Sequence, residues 1–164
     1  MKTLTTICLV LTCLSGSSQV RLSDETHLIT WERVITVDTM RAPQLYDRTR
    51  SWFTEYFRSA KDVVRGEDRP ALIKGTFVSS YSAGISSQDY DVDITVRIKD
   101  GAVKVVLDRF RTTAGYAIEM TAVKSDGTIR TGKMYQKTLS DIDAQAEAMV
   151  ASLTKFLSKT SASW

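Results

Sequence analysis

The segment 90–110 constrains this chain more than any other. Residues 90–99 alternate, with Val92, Ile94, Val96 and Ile98 on one side and Asp91, Asp93, Thr95, Arg97 and Lys99 on the other, which is the period of a half-buried strand. Asp100 and Gly101 follow, a pair that tolerates the positive φ angles of a type I′ turn. Residues 102–110 then alternate again. Counting outward from the turn, Ile98 faces Val103, Val96 faces Val105 and Ile94 faces Leu107, three apolar pairs on one face. A chain built around this hairpin contains an antiparallel sheet with one face to bury.

Two amphipathic stretches are available to cover it. Residues 31–38 read as an opening strand and 39–43 as a turn. A helix over 44–57 follows, with Leu45, Thr49, Trp52, Phe53, Tyr56 and Phe57 on one face and Asp47, Arg48, Arg50, Ser51, Glu55 and Arg58 on the other. Residues 139–158 form a closing helix with Ser140 as N-cap and a stripe of Ile142, Ala146, Met149, Val150, Leu153, Phe156 and Leu157. Between them, 61–70 is a charged connector in which Val63 and Val64 either finish the first helix or begin a short strand. Residues 71–81 read as a strand with Ile73, Phe77 and Tyr81 opposed to Lys74, Thr76 and Ser80, and with Gly75 marking a bulge or a close backbone approach. Residues 82–88 read as a loop of small residues, and 114–124 as a weak strand. A second turn at 125–128 leads to a short partner near 129–135. The order β-α-β-β-β-β-α gives an α+β domain, a mainly antiparallel sheet of five to six strands with two helices on one face. Lys74, Asp91, Asp93, Thr95, Arg97 and Lys104 then look outward.

Length and hydropathy bound the rest. One domain accounts for 164 residues, and 43% hydrophobic content with two prolines argues against disorder. Residues 1–18 read as a signal peptide: Lys2 is the positive start, 4–14 the apolar run, and Gly16 and Ser18 the small residues before cleavage. An apolar run of eleven is too short to span a bilayer, so the mature chain is expected to be exported to the periplasm or beyond, with no transmembrane segment. Both cysteines, Cys8 and Cys13, lie in that signal, which excludes disulfides and thiol catalysis from the mature domain. The alternative is an outer-membrane lipoprotein anchored through Cys13, although Thr12 suits a lipidation signal poorly. Removing Lys2 leaves 21 basic and 19 acidic residues, too mild an excess to argue for nucleic acid. Residues 19–30 read as a mobile lead-in, 31–158 as the domain and 159–164 as a fraying tail.

Several of these features together resemble a family of secreted bacterial proteins, a domain of unknown function with a TBP-like fold. They are the signal peptide, a strand closing on Val37 and Asp38, Leu45 and Tyr46 followed by Trp52, Phe53, Thr54, Glu55, Tyr56 and Phe57, the run Ile73, Lys74, Gly75 and Thr76, the hairpin across 92–105 and the closing helix. The resemblance spans roughly 31–157. It implies a TBP-like arrangement and no activity, because it carries no catalytic residue to transfer. TBP-like describes topology alone, and fold does not imply function.

Chemistry-bearing constellations are sparse. His27 is the single histidine, so neither an ordinary zinc site nor a serine–histidine–acid triad has its parts unless His27 folds back onto the domain. No cofactor is expected. The hairpin register sets Asp93 across from Asp108 with Asp91 on the same face. Three carboxylates there could bind Ca²⁺, but strands supply few of the six or more oxygens it takes, and either Arg97, Arg109 or Arg111 screens them or the register slips after Asp93. The same register sets Arg97 opposite Lys104, with Lys74 and Lys99 nearby, which is either a plain solvated outer sheet face or a face suited to an acidic protein, an anionic glycan or a lipid headgroup. Trp52, Tyr56, Phe77 and Tyr81 could line a cleft between sheet and helices, or simply form core. The leading expectation is a non-catalytic envelope binding or interaction module using the open sheet face or that cleft. A carrier of an apolar molecule in a helix-grip-like cavity comes second, and a metal-dependent hydrolase using the three aspartates a distant third. A closed interior favours the first, and an empty apolar cavity of several hundred cubic ångströms the second.

Overall fold

The computed structural model describes residues 20–57, 60–83 and 86–159. The segment 1–18 expected to be a signal peptide, with both cysteines, and the tail from 160 onward lie outside the described residues.

Within the expected mobile lead-in, residues 20–30 are ordered. Arg21–Leu22 (β1) pairs antiparallel with the start of Ile29–Thr36 (β2), across a turn in which the Ser23 N–H donates to the Leu28 carbonyl at 2.8 Å. A strand of two residues is too short to show a period. Helix α1 (Ala42–Tyr56) begins within the expected turn. Pro43 sits in its first turn, where a missing N–H leaves nothing unpaired, and the Ala42 N–H donates to the Asp100 carboxylate at 2.7 Å. The hairpin turn thus caps the helix.

The charged connector 61–70 is also structured. Val63 closes a helical turn, α2 (Ala60–Val63), and Val64 opens β3 (Val64–Asp68). Strand β3 is the sheet edge and exposes Arg65, Glu67 and Asp68. Charge is what an edge carries against stray pairing, so no apolar alternation announces it. Gly75 explains the join, because a Cβ there would lie 2.9 Å from the Val63 carbonyl oxygen, and the β3 register slips opposite it between Val64 and Gly66. Both meanings of that glycine hold.

Strands β4 (Leu72–Ala83), β5 (Ser86–Lys99) and β6 (Ala102–Thr112) form the meander. The β4–β5 ladder continues to Ala83 opposite Ser86, so most of the stretch taken as a loop, 82–88, is strand. Backbone ladder bonds need no apolar side chains, which is why small polar residues concealed it. Across the Asp100 and Gly101 turn, Ile98 pairs with Val103, Val96 with Val105 and Ile94 with Leu107, as the turn requires. The sheet order is β1-β2-β6-β5-β4-β3, antiparallel at every join.

The stretch 114–124 is not a strand. Ile118 and Ala122 are buried while Tyr116 and Met120 are 60% and 68% exposed, a spacing of four, and residues Glu119–Ala122 form α3. The turn at 125–128 exists, closed by a Lys124 N–H to Thr128 carbonyl bond of 2.8 Å, but its return is a single bridge between Val123 and Ile129. The expected partner strand is displaced by α4 (Lys133–Ser158), which starts at Gly132 and leaves Ser140 inside the helix. Thr138 and Leu139 extend the buried stripe a turn backward.

Helices α1 and α4 cover one sheet face together. Leu45, Trp52 and Phe53 from α1 and Ile142, Ala146, Met149 and Leu153 from α4 join Trp31, Ile35, Ile73, Ile94, Val96, Val103, Val105 and Leu107 in one buried cluster. The Trp52 indole N–H donates to the Ser152 hydroxyl at 3.2 Å, and Arg48 to the Leu157 carbonyl at 2.7 Å, tying the two helices. Val34, Lys74, Val78, Asp91, Arg97 and Lys99 on the other face are exposed. No helix among the described residues is long and apolar enough to cross a membrane.

Candidate functional site

Three elements converge at one end of the covered face. The last turn of α1 carries Tyr56, with Phe57 just beyond it, while β4 turns Phe77, Ser79 and Tyr81 toward the helices, and α4 brings Gln145, Ala146 and Met149 across. They enclose an open cleft of about 170 Å³ with Leu107 at its base. Its walls are rings: Phe57 and Phe77 meet with centroids 5.2 Å apart, and Tyr56 stacks on Trp52 at 4.8 Å. Of the four aromatics expected to line a cleft, Tyr56, Phe77 and Tyr81 do so. Trp52 is 2% exposed and backs the Tyr56 ring instead of facing the space.

Polar groups are few and fixed there. The Ser79 hydroxyl donates to the Gln145 side-chain oxygen at 2.6 Å, and the Gln145 amide donates to the Ser80 carbonyl at 2.7 Å, which clamps α4 to β4. Burial pushes the Tyr81 phenol up to about 12, outweighing the Ser79 hydroxyl beside it. Tyr56 is 41% exposed, and burial of its remaining surface raises its phenol as well.

A second concavity lies on the uncovered face beside the hairpin turn. Arg97 stands opposite Lys104, Lys99 opposite Ala102, and Val34 on the other flank of Lys104. These residues border a depression of about 260 Å³. Lys104 forms an ion pair with Glu32 at 2.8 Å, and that hydrogen bond outweighs desolvation to lower the Glu32 carboxyl. Lys74 lies opposite Thr95, outside the depression.

Farther along the same face Asp93 stands opposite Asp108, as the register demands. A bulge then intervenes: Arg109 takes a φ of 51°, and Asp91 falls opposite Arg111. Asp93 accepts from the Thr76 hydroxyl at 2.9 Å and pairs with Arg109 at 3.4 Å. Among the described residues no three His, Cys, Asp or Glu side chains are placed to hold a metal ion. His27 is exposed in the β1–β2 turn.

Val34, Val78, Ser79, Ala102 and Gln145 are the lining residues not singled out in the sequence. Ser79 carried a signal, because it shares the inward parity of Phe77 and Tyr81, and a small polar residue between two inward rings marks a recess.

The domain of unknown function with TBP-like fold, DUF4468, matches residues 31–113. The chain belongs to the DUF4468 family. Two solved structures share the architecture. One is a DUF4468 protein from Bacteroides ovatus, 18% identical, covering 88% of this chain and 94% of its own with a TM-score of 0.63. The other is a TBP-like protein from Parabacteroides distasonis, 7% identical, covering 86% of this chain and 98% of its own at 0.66. At these identities the likeness is one of fold. No curated protein matches the chain. The DUF4468 match ends at residue 113, so the α4 wall of the cleft, with Gln145 and Met149, lies outside it.

Proposed function

We propose that this DUF4468 protein is an exported, non-catalytic interaction module whose recognition site is the helix–sheet cleft, and that its partner is an envelope protein presenting one aromatic side chain. The observation that supports this most is Tyr56, a ring left 41% exposed above a recess already walled by Phe57, Phe77 and Tyr81. Aromatic recesses of this kind are where interface hot spots seat. The space of about 170 Å³ compares with the ~150 Å³ engineered cavity that takes benzene, so one ring fits. Carriage of a larger apolar molecule would need several times that room. Gln145 and Ser79 already satisfy each other, leaving the Tyr56 hydroxyl to orient a polar tip.

The reading is tested by titrating the mature protein, ¹⁵N-labelled, with a short peptide carrying one tyrosine and with its alanine counterpart. Saturable shifts at residues 77–81 and 145–149 with the tyrosine peptide alone are expected. Phe77→Ala should weaken binding about tenfold, the worth of one well-packed aromatic contact. Equal response to both peptides, or none, would overturn it.

A further inference from the structure

On the uncovered face, three cations border a single depression, Arg97, Lys99 and Lys104, and one of them, Lys104, is paired with Glu32. Lys104 is neutralised by Glu32, whereas Arg97 and Lys99 have no acidic partner within reach among the described residues. Like charges directly opposite on paired strands are unfavourable, yet Arg97 and Lys104 are cross-strand neighbours. Asp100, the nearest acid in sequence, is turned away to cap α1 at the Ala42 N–H. The border therefore holds a net charge of about two. Beside it Val34 is 57% exposed, an apolar surface among charges.

Charge and shape together select an occupant. A guanidinium flanked by ammonium groups recognises a phosphate fork, and a phosphomonoester carries −1.5 to −2 at neutral pH, where a carboxylate or a phosphodiester carries only one charge. Val34 and Ala102 offer the carbon skeleton a place to lie. We propose that the depression bounded by Arg97, Lys99, Lys104 and Val34 is a binding site for a small organic phosphomonoester. The site lies on the sheet face opposite the aromatic cleft and stands independently of it.

The full mature chain, ¹⁵N-labelled, is titrated at 0.15 M salt with phenyl phosphate, with inorganic phosphate and with anionic vesicles. Phenyl phosphate should shift the amides of residues 97–104 and bind at least about fivefold more tightly than inorganic phosphate, since its ring buries Val34. Its affinity should fall between pH 7.5 and 5 as the phosphate dianion takes up a proton near pH 6 and becomes a monoanion. Arg97→Gln should weaken it about tenfold, the worth of one charge-assisted pair, while Lys74→Gln on the same face leaves it unchanged. Equal loss from the two variants would show a diffuse field instead of a site. Equal affinity for both phosphates, no binding of either, or binding to vesicles alone would each overturn the proposal as well.

Discussion

The Trp31 indole N–H on β2 donates to the Asp143 carboxylate on α4 at 2.9 Å, across 112 residues of chain. One step along each element, Arg33 pairs with Glu147. Residues two apart on a strand and four apart on a helix advance by similar lengths, so the two contacts lock the helix in register on the sheet. Trp31 is fully buried. Trp31→Phe removes the donor and leaves a gap, and we expect a loss of about 2 kcal/mol in urea unfolding, beyond the ~1 kcal/mol of the bond alone. Asp143→Asn keeps an acceptor and should lose less than half of that.

Gly75→Ala tests the packing of β3. The added Cβ would meet the Val63 carbonyl oxygen at 2.9 Å and the side chains of Ile94 and Val63 at 3.2 Å, with backbone on one side and buried core on the other. Overpacking at such a site costs about 1–3 kcal/mol. The urea midpoint should fall, and amide exchange of residues 64–68 should quicken more than that of β6. An unchanged midpoint would show that β3 can move away freely.

Where local chemistry and tertiary demand coincide, the sequence was readable. Asp100 and Gly101 fixed the β5–β6 register because the turn geometry leaves one solution, and the stripe through Ile142, Ala146, Met149 and Leu153 is long enough to show a helical period. The readings that failed rest on short or polar elements. Strand β3 hides because an edge is charged, and the end of the β4–β5 arm hides because Ser82, Ala83, Ser86 and Ser87 are small and carry no alternation. Residues 118–122 imitate a strand because Tyr116 and Met120 are apolar yet exposed, which gives a false period of two. Tyr56, Phe77 and Tyr81 could be named as cleft candidates, but Gln145 could not, since its partner Ser79 is 66 residues away. The Arg109 bulge, which turns Asp91 toward Arg111, has no local marker: its φ of 51° falls on a residue type with no preference for it.

Asp108 gives a pH test. Burial holds its carboxyl above the ordinary value and the facing Asp93 adds to this, against the pull of Arg109. A carboxyl raised on folding contributes stability that is full below the unfolded pKa, about 3.9, and is lost as pH rises through the folded value. At neutral pH the ionised group is therefore unfavourable. Asp108→Asn should stabilise the protein at pH 7 by about 0.5 kcal/mol, the cost of a like-charge pair across strands. At pH 3, where the native side chain already carries its proton, the gain should vanish. A gain of equal size at both pH values would trace it to packing instead.

Tyr81 gives the alkaline counterpart. Its ring lies between Tyr90 and Phe110, with centroids 5.7 and 6.0 Å away, and burial moves the phenol to about 12. Because the folded value lies above the unfolded one near 10, the phenol contributes stability below pH 10 that is lost progressively as pH climbs toward 12. Absorbance titration at 295 nm should show a late tyrosine step near pH 12, absent in Tyr81→Phe. The cleft opens onto this ring, so a peptide ring seated against Tyr81 should delay the step further in the native protein. A step that stays in place with the cleft filled would mean that the bound ring rests on Tyr56 and Phe77 alone.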